Sequence, residues 1–237
     1  MSTLTKKKMG FEYSGYYFIG VLVLVILGFW PSYFAKFIDR TADFTLYFHF
    51  HAVTATLWLA LLIVQPILIQ RKKIRLHRLL GKTSYVLIPL IFLSVLLLAH
   101  HTITGTEQNL GLSLWVPFKD LLILGVAFFI AIRYRRVAPL HARGMIAAGL
   151  VLIEPALVRF MSNVFFPDGG PGYLFTIGLL YALLIGLVII ERKQKEGRWI
   201  FPLILGLYIF VHSVILFRIQ IAPWEAFAQW FASLPLT

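Results

Sequence analysis

The sequence contains no cysteine. That absence removes disulfides, thiolate metal sites, iron–sulfur clusters and covalently attached c-type haem from the chemistry open to the chain. Charge is scarce too: 14% of the 237 residues are Asp, Glu, Lys or Arg, against about a quarter in an ordinary soluble domain. What charge there is leans one way, with 22 basic residues, 10 acidic ones and a net charge of +12. In a soluble protein that excess would point to nucleic acid. Here the basic residues fall between apolar runs, where they set orientation in a bilayer, and nucleic acid is not an expected partner. No serine sits in a nucleophile motif, which argues against covalent hydrolysis. The turn Asp168-Gly169-Gly170-Pro171-Gly172 lacks the basic residue and Ser/Thr that a phosphate-binding loop requires.

Apolar residues fill the space that charge leaves, making up 59% of the chain. They come in blocks of about twenty, the length that carries a helix across about 30 Å of hydrocarbon. In lipid every backbone polar group must be satisfied within the segment, so such blocks are helices. The runs fall near residues 16–34, 45–69, 83–101, 113–132, 145–165, 173–190 and 199–219, with Tyr16, Trp30, Trp115, Tyr134, Tyr173 and Trp199 at their ends as interfacial anchors. The expected fold is an all-α integral membrane bundle of seven transmembrane helices in one domain. Pro223 can open a further short helix, with Trp224, Phe227, Trp230, Phe231 and Leu234 on the side that would lie in the interface.

Orientation follows from the connections. Lys6, Lys7 and Lys8 precede helix 1; Arg71, Lys72, Lys73, Arg75, Arg78 and Lys82 join helices 2 and 3. Arg133, Arg135, Arg136 and Arg143 join helices 4 and 5, and Arg192, Lys193, Lys195 and Arg198 join helices 6 and 7. Together these are 17 of the 22 basic residues. Only Lys36, Arg40, Lys119, Arg159 and Arg218 belong to the other side. The positive-inside rule gives a cytoplasmic N-terminus and an external C-terminus. Helix 1 has the basic start and apolar stretch of a signal peptide. The bulky Trp30-Pro31-Ser32-Tyr33-Phe34-Ala35-Lys36 that follows lacks a small-x-small cleavage site, so retention as an anchor is expected.

Ionisable groups inside hydrocarbon cost about 2.5–3.5 kcal/mol each on insertion scales and normally face the bundle interior, where they mark function. Four of them project to one layer: His51 on helix 2, Asp120 on helix 4, Glu154 on helix 5 and His212 on helix 7. Helical rise puts this layer roughly 9–12 Å beneath the outer surface. His100 and His101 stand near its mouth, with Arg159 and Arg218 around the rim. On helix 2, His51, Thr54, Trp58 and Gln65 recur at spacings of three, four and seven and share a stripe. His49, about 200° round from His51, faces headgroups or a neighbouring helix instead. Ser94 and His101 share a face of helix 3. Glu154-Pro155 sets a helix breaker beside a buried carboxylate, and a kink is the expected result.

Imidazole and carboxylate together suit zinc, iron, manganese or copper. Two facing histidines, with His51 and His212 the first pair to consider, would also hold b-type haem. The same Asp, Glu and His residues would serve a small-solute or proton transporter. A third reading makes them interhelical hydrogen bonds in a non-enzymatic assembly subunit, worth about 1 kcal/mol each. The metal or haem site, with a redox or cofactor-handling role, is the leading expectation. The lipid bilayer is the expected partner, alongside another membrane protein or a second copy of the chain. A faint internal echo relates Arg75-Leu76-His77-Arg78 to Pro139-Leu140-His141-Ala142-Arg143.

His51, Thr56, Trp58 and Gln65, followed by His77-Arg78-Leu79-Leu80-Gly81, resemble a family of bacterial multi-pass inner-membrane proteins. These pair an outer His and a Trp with a Gln and a cytoplasmic His-Arg-x-Leu-Gly element. Leu140-His141-Ala142-Arg143-Gly144-Met145, then Pro155-Ala156 and Arg159, resemble their second element, with Gly144 where a larger apolar residue is expected. The likeness spans about half the chain, residues 45–160. It implies the bacterial inner (plasma) membrane and carries no activity or catalytic residue with it.

Overall fold

A computed structural model describes residues 11–103, 105, 107–167 and 170–237. Lys6, Lys7 and Lys8, and Asp168-Gly169 of the expected turn, lie outside them. Among the described residues the chain is helical throughout, with no strand. The apolar helices are α1 (Ser14–Ile38), α2 (Leu46–Gln70), α3 (Ile74–Thr102), α4 (Leu110–Arg133), α5 (Ala138–Val164), α6 (Gly172–Glu191) and α7 (Ile200–Leu216). A short helix, α8 (Ala222–Ala232), follows. The first six are long and apolar enough to cross a bilayer, and they mark the chain as a multi-pass membrane protein. With 17 residues, α7 is shorter than the others.

Three of these helices are interrupted, each at a place the sequence explains. In α1 a π-helical stretch, Trp30–Phe34, begins where Pro31 withdraws a backbone N–H. In α3, Ile74–Gly81 forms its own short helix before Ser84–Thr102; that segment was expected to be loop. In α5 the break falls between Ala138–Leu150 and Ile153–Val164. Pro155 accounts for it, since it cannot donate to the carbonyl of Val151 and its ring crowds that carbonyl. The expected kink is present, and Glu154 stands in the first turn after it. A carboxylate suits that place, where unpaired N–H groups and the helix dipole favour negative charge.

The helices pack with α1 against α2 and the second half of α5, α2 against α3, α4 against α5, and α7 against α4, α5 and α6. Trp58, Ile123, Leu180, Leu184, Ile204 and Tyr208 fill the centre. Large apolar side chains such as Leu57, Phe129, Leu179 and Ile190 are exposed on the outside. On a water-soluble protein that surface would be a liability; in lipid it is the expected exterior. The expected stripe on α2 is observed, with Thr54, Trp58 and Gln65 all buried.

Close helix approach explains a glycine at position 144. A Cβ there would meet the backbone nitrogen of Ala131 on α4 at 2.7 Å, so a larger residue would force α4 and α5 apart. One assignment of charge also changes. Arg143 was expected in the connection between helices 4 and 5, but it lies inside α5, buried and paired with Glu191 at the end of α6. The α8 helix packs on α4 with Ala228 and Phe231 inward, while Trp230, expected on the same side, is exposed.

Candidate functional site

Among the described residues, two groups of buried polar side chains include buried ion pairs. The larger is centred on Lys119 of α4, a residue counted in the sequence only among the five cations of the external side. Its side chain is 1% exposed and lies between two carboxylates, with Nζ 2.7 Å from Asp120 Oδ1 and 2.7 Å from Glu154 Oε1. The other oxygen of Glu154, Oε2, is 3.0 Å from His212 Nε2. His212 Nδ1 is in turn 3.1 Å from the Tyr181 hydroxyl. The result is an unbroken chain, Asp120–Lys119–Glu154–His212–Tyr181, which links α4, α5, α7 and α6.

Proton positions along this chain are constrained. Tyr181 directs its hydroxyl proton at the carbonyl of Tyr208, 3.4 Å away. Its oxygen is therefore left to accept from His212 Nδ1–H. A carboxylate at Glu154 needs a second N–H, on Nε2, which makes His212 an imidazolium. The alternative keeps the imidazole neutral and puts the proton on Glu154 Oε2, donating to Nε2. The two arrangements differ by one proton moved across 3.0 Å. Three tyrosines surround the imidazole: the ring centres of Tyr181 and Tyr208 are each 5.6 Å from that of His212, and Tyr173 is 6.2 Å away. Among the described residues the Tyr173 and Tyr208 hydroxyls are enclosed without a hydrogen-bond partner.

Of the four residues expected to share a layer, three therefore come together: Asp120, Glu154 and His212, joined by Lys119. His51 does not join them. Its Nδ1 lies 3.2 Å from Ser94 Oγ, which also accepts from Thr54 Oγ1 at 3.0 Å. The other candidates are dispersed. His49 meets Tyr33 at 2.9 Å, on the neighbouring helix, within a nest that includes Phe37 and Phe44. His100 Nδ1 is 2.6 Å from Thr237 Oγ1, tying the C-terminus to α3, and His101 packs on Tyr47. Arg159 lies over Phe29 and donates to the Pro155 carbonyl at 2.8 Å. Arg218 is exposed, with a left-handed φ of 49°, at the end of α7.

This geometry bears on metal binding. Among the described residues no group of three or more His, Asp or Glu side chains is placed to hold a metal ion. Between Asp120 and Glu154 the positive charge is supplied by the Lys119 ammonium. For haem, both ring nitrogens of His212 are already engaged, by Glu154 and Tyr181.

The second group lies near the other end of the bundle. The Gln65 amide donates to the His77 carbonyl at 3.1 Å and to His77 Nδ1, and its oxygen accepts from the Gly81 N–H at 3.1 Å. One side chain on α2 thus bridges the i, i+4 backbone pair that closes the His-Arg-x-Leu-Gly segment and ties that segment to α2. His77 and His141, the two histidines of the internal echo, face each other with ring centres 6.4 Å apart, and His141 Nδ1 lies 2.9 Å from the Ala131 carbonyl. Arg143 donates Nε and Nη2 to one oxygen of Glu191 and Nη1 to the Pro139 carbonyl.

Lys119, Arg143, Glu191 and the three tyrosines escaped the sequence reading. Lys119 had a visible signal, since it stands beside Asp120 and well inside an apolar run. The tyrosines had none, because aromatic residues in these helices are everywhere. The chain matches no protein family model, no curated protein and no solved structure.

Proposed function

We propose that the protein translocates protons, alone or coupled to a small solute, through the Asp120–Lys119–Glu154–His212–Tyr181 chain. The observation that carries this reading is the Glu154–His212 contact, where two proton arrangements of one hydrogen bond stand side by side in an apolar bundle. Asp, Glu and His chains of this kind are the usual proton relays of membrane transporters. Lys119 holds the two carboxylates together and offsets their charge. In this reading all seven apolar helices span the bilayer, with the N-terminus in the cytoplasm of a bacterium and the Lys119 chain in the outer half. The charge asymmetry of the connections supports that orientation.

Proton flux into liposomes holding a pH-sensitive dye tests the proposal. Glu154→Gln should lower flux by about a hundredfold, the scale set by losing one acid–base group. Wild-type flux in that variant would end the proposal. The metal or b-haem reading rests on His51 and His212 and requires His212 to leave its present partners. A Soret band, or stoichiometric zinc, iron or copper in the purified protein, would establish it in place of the relay.

A further inference from the structure

A groove of about 560 Å³ runs along α3 and α4 beneath α8, within the range of small-molecule sites, roughly 300–1,000 Å³. Its walls are apolar and part aromatic, with Phe92 on α3, Trp115, Phe118 and Gly125 on α4 and Trp224 on α8 beside leucines and a valine. Lys119, whose ammonium belongs to the buried ion cluster, is among the residues that line it. Both tryptophan N–H groups are already committed, Trp115 to the Val211 carbonyl at 3.0 Å and Trp224 to the Gly111 carbonyl at 2.7 Å. Two N–H groups of the Lys119 ammonium go to Asp120 and Glu154. Its third is the one strong donor that the lining residues have left to offer.

Charge selects the occupant. The cluster is neutral in either proton arrangement: Lys119 and an imidazolium balance Asp120 and Glu154, or Lys119 balances Asp120 alone. A phosphate or carboxylate headgroup brought to it would be a buried charge without a partner, which costs several kcal/mol. A second cation would meet the Lys119 ammonium. A neutral hydrogen-bond acceptor carried on an apolar body fits both constraints. Edge-to-face pairs at 5.2 Å, Trp115 with Trp224 and Phe118 with Trp224, wall the groove with the rings that flat π-systems pack against.

We propose that this groove binds an isoprenoid quinone, with the planar head between the aromatic walls, one carbonyl accepting from Lys119, and the tail leaving along α3 and α4 into lipid. The assignment uses the geometry of Lys119 and does not require proton translocation. Quenching of tryptophan fluorescence by decylubiquinone, with the full chain in nanodiscs, tests it. Quenching should saturate at about one quinone per protein. Gly125→Leu places a side chain in the groove, since even a Cβ there would meet Phe92 at 3.3 Å, and should weaken binding about tenfold. Lys119→Met should weaken it similarly, by loss of a hydrogen bond from a charged donor. Decylbenzene, which has the same bulk without carbonyls, should not compete.

Non-saturating quenching means that the groove holds bilayer lipid only, and this overturns the proposal. So does equal competition by decylbenzene, or unchanged affinity in Gly125→Leu. The last variant keeps the proposal testable if Lys119→Met does not fold. Because binding is read without a proton gradient, its failure is distinguishable from failure of the relay, which is read by flux.

Discussion

Two buried ionic groups occupy this bundle, and their chemistry separates them. The Arg143–Glu191 pair is closed on itself: a guanidinium grips one carboxylate oxygen and a backbone carbonyl, with Phe11 packed on its face at 4.8 Å. Arginine does not lose its proton in proteins, so the guanidinium cannot pass a proton on and the pair acts as a brace. The Lys119 chain is built from Lys, Glu, Asp, His and Tyr, every one of which can exchange a proton. It is also extended, touching four helices where the Arg143 pair touches two. Burial of charge therefore does not itself indicate function. What distinguishes the groups is whether every member can exchange a proton and whether the chain leads anywhere.

The sharpest way to break that comparison is to remove one partner from each group. Arg143→Met strands Glu191 in the interior and should cost about 3–5 kcal/mol of stability; thermal unfolding in detergent would show a large drop in Tm. Adding Glu191→Leu should restore most of it, because no charge is then left unpaired. If the single variant unfolds like wild type, the pair is no brace. By contrast, Glu154→Gln keeps the shape and much of the hydrogen bonding, so its main loss should be the hundredfold fall in flux described above, with little change in Tm.

Smaller effects sharpen the picture. At the α1–α5 crossing, Gly28 faces the Ala156 backbone so closely that a methyl group has no room. Gly28→Ala should cost about 1–3 kcal/mol by overpacking, read again by thermal unfolding. Unchanged stability would mean that α1 shifts freely and does not position α5, and with it Glu154. Gln65→Leu removes the clamp on His77 and Gly81 while leaving both ionic groups intact. It should cost about 1–2 kcal/mol and speed amide exchange at residues 74–81; slow exchange there would show that the short helix stands without Gln65.

Much of the architecture was legible because lipid leaves the backbone few options. Runs of about twenty apolar residues must be helices, and the helices lie close to where hydropathy placed them. Pro155 announced the break in α5, and the spacing of Thr54, Trp58 and Gln65 announced the buried face of α2. Depth reasoning also found Asp120, Glu154 and His212, three of the five members of the chain. It failed at His51 for a specific reason. Depth along a helix gives one coordinate, whereas the direction in which a side chain points depends on which neighbour the helix packs against. Ser94 on α3 offered His51 a nearer partner.

The sequence by itself determined that the chain is a multi-helix membrane protein, which residues would be costly to bury, and how charge divides between its connections. Those properties depend on composition and period, which are local. Tertiary structure decided that Lys119 stands between two acids, that Arg143 is a buried brace, and that an apolar groove is lined by the same lysine. A cation in a hydrophobic run can reach outward to headgroups or inward to a carboxylate, and only the position of Glu154, thirty-five residues further along, turns it inward.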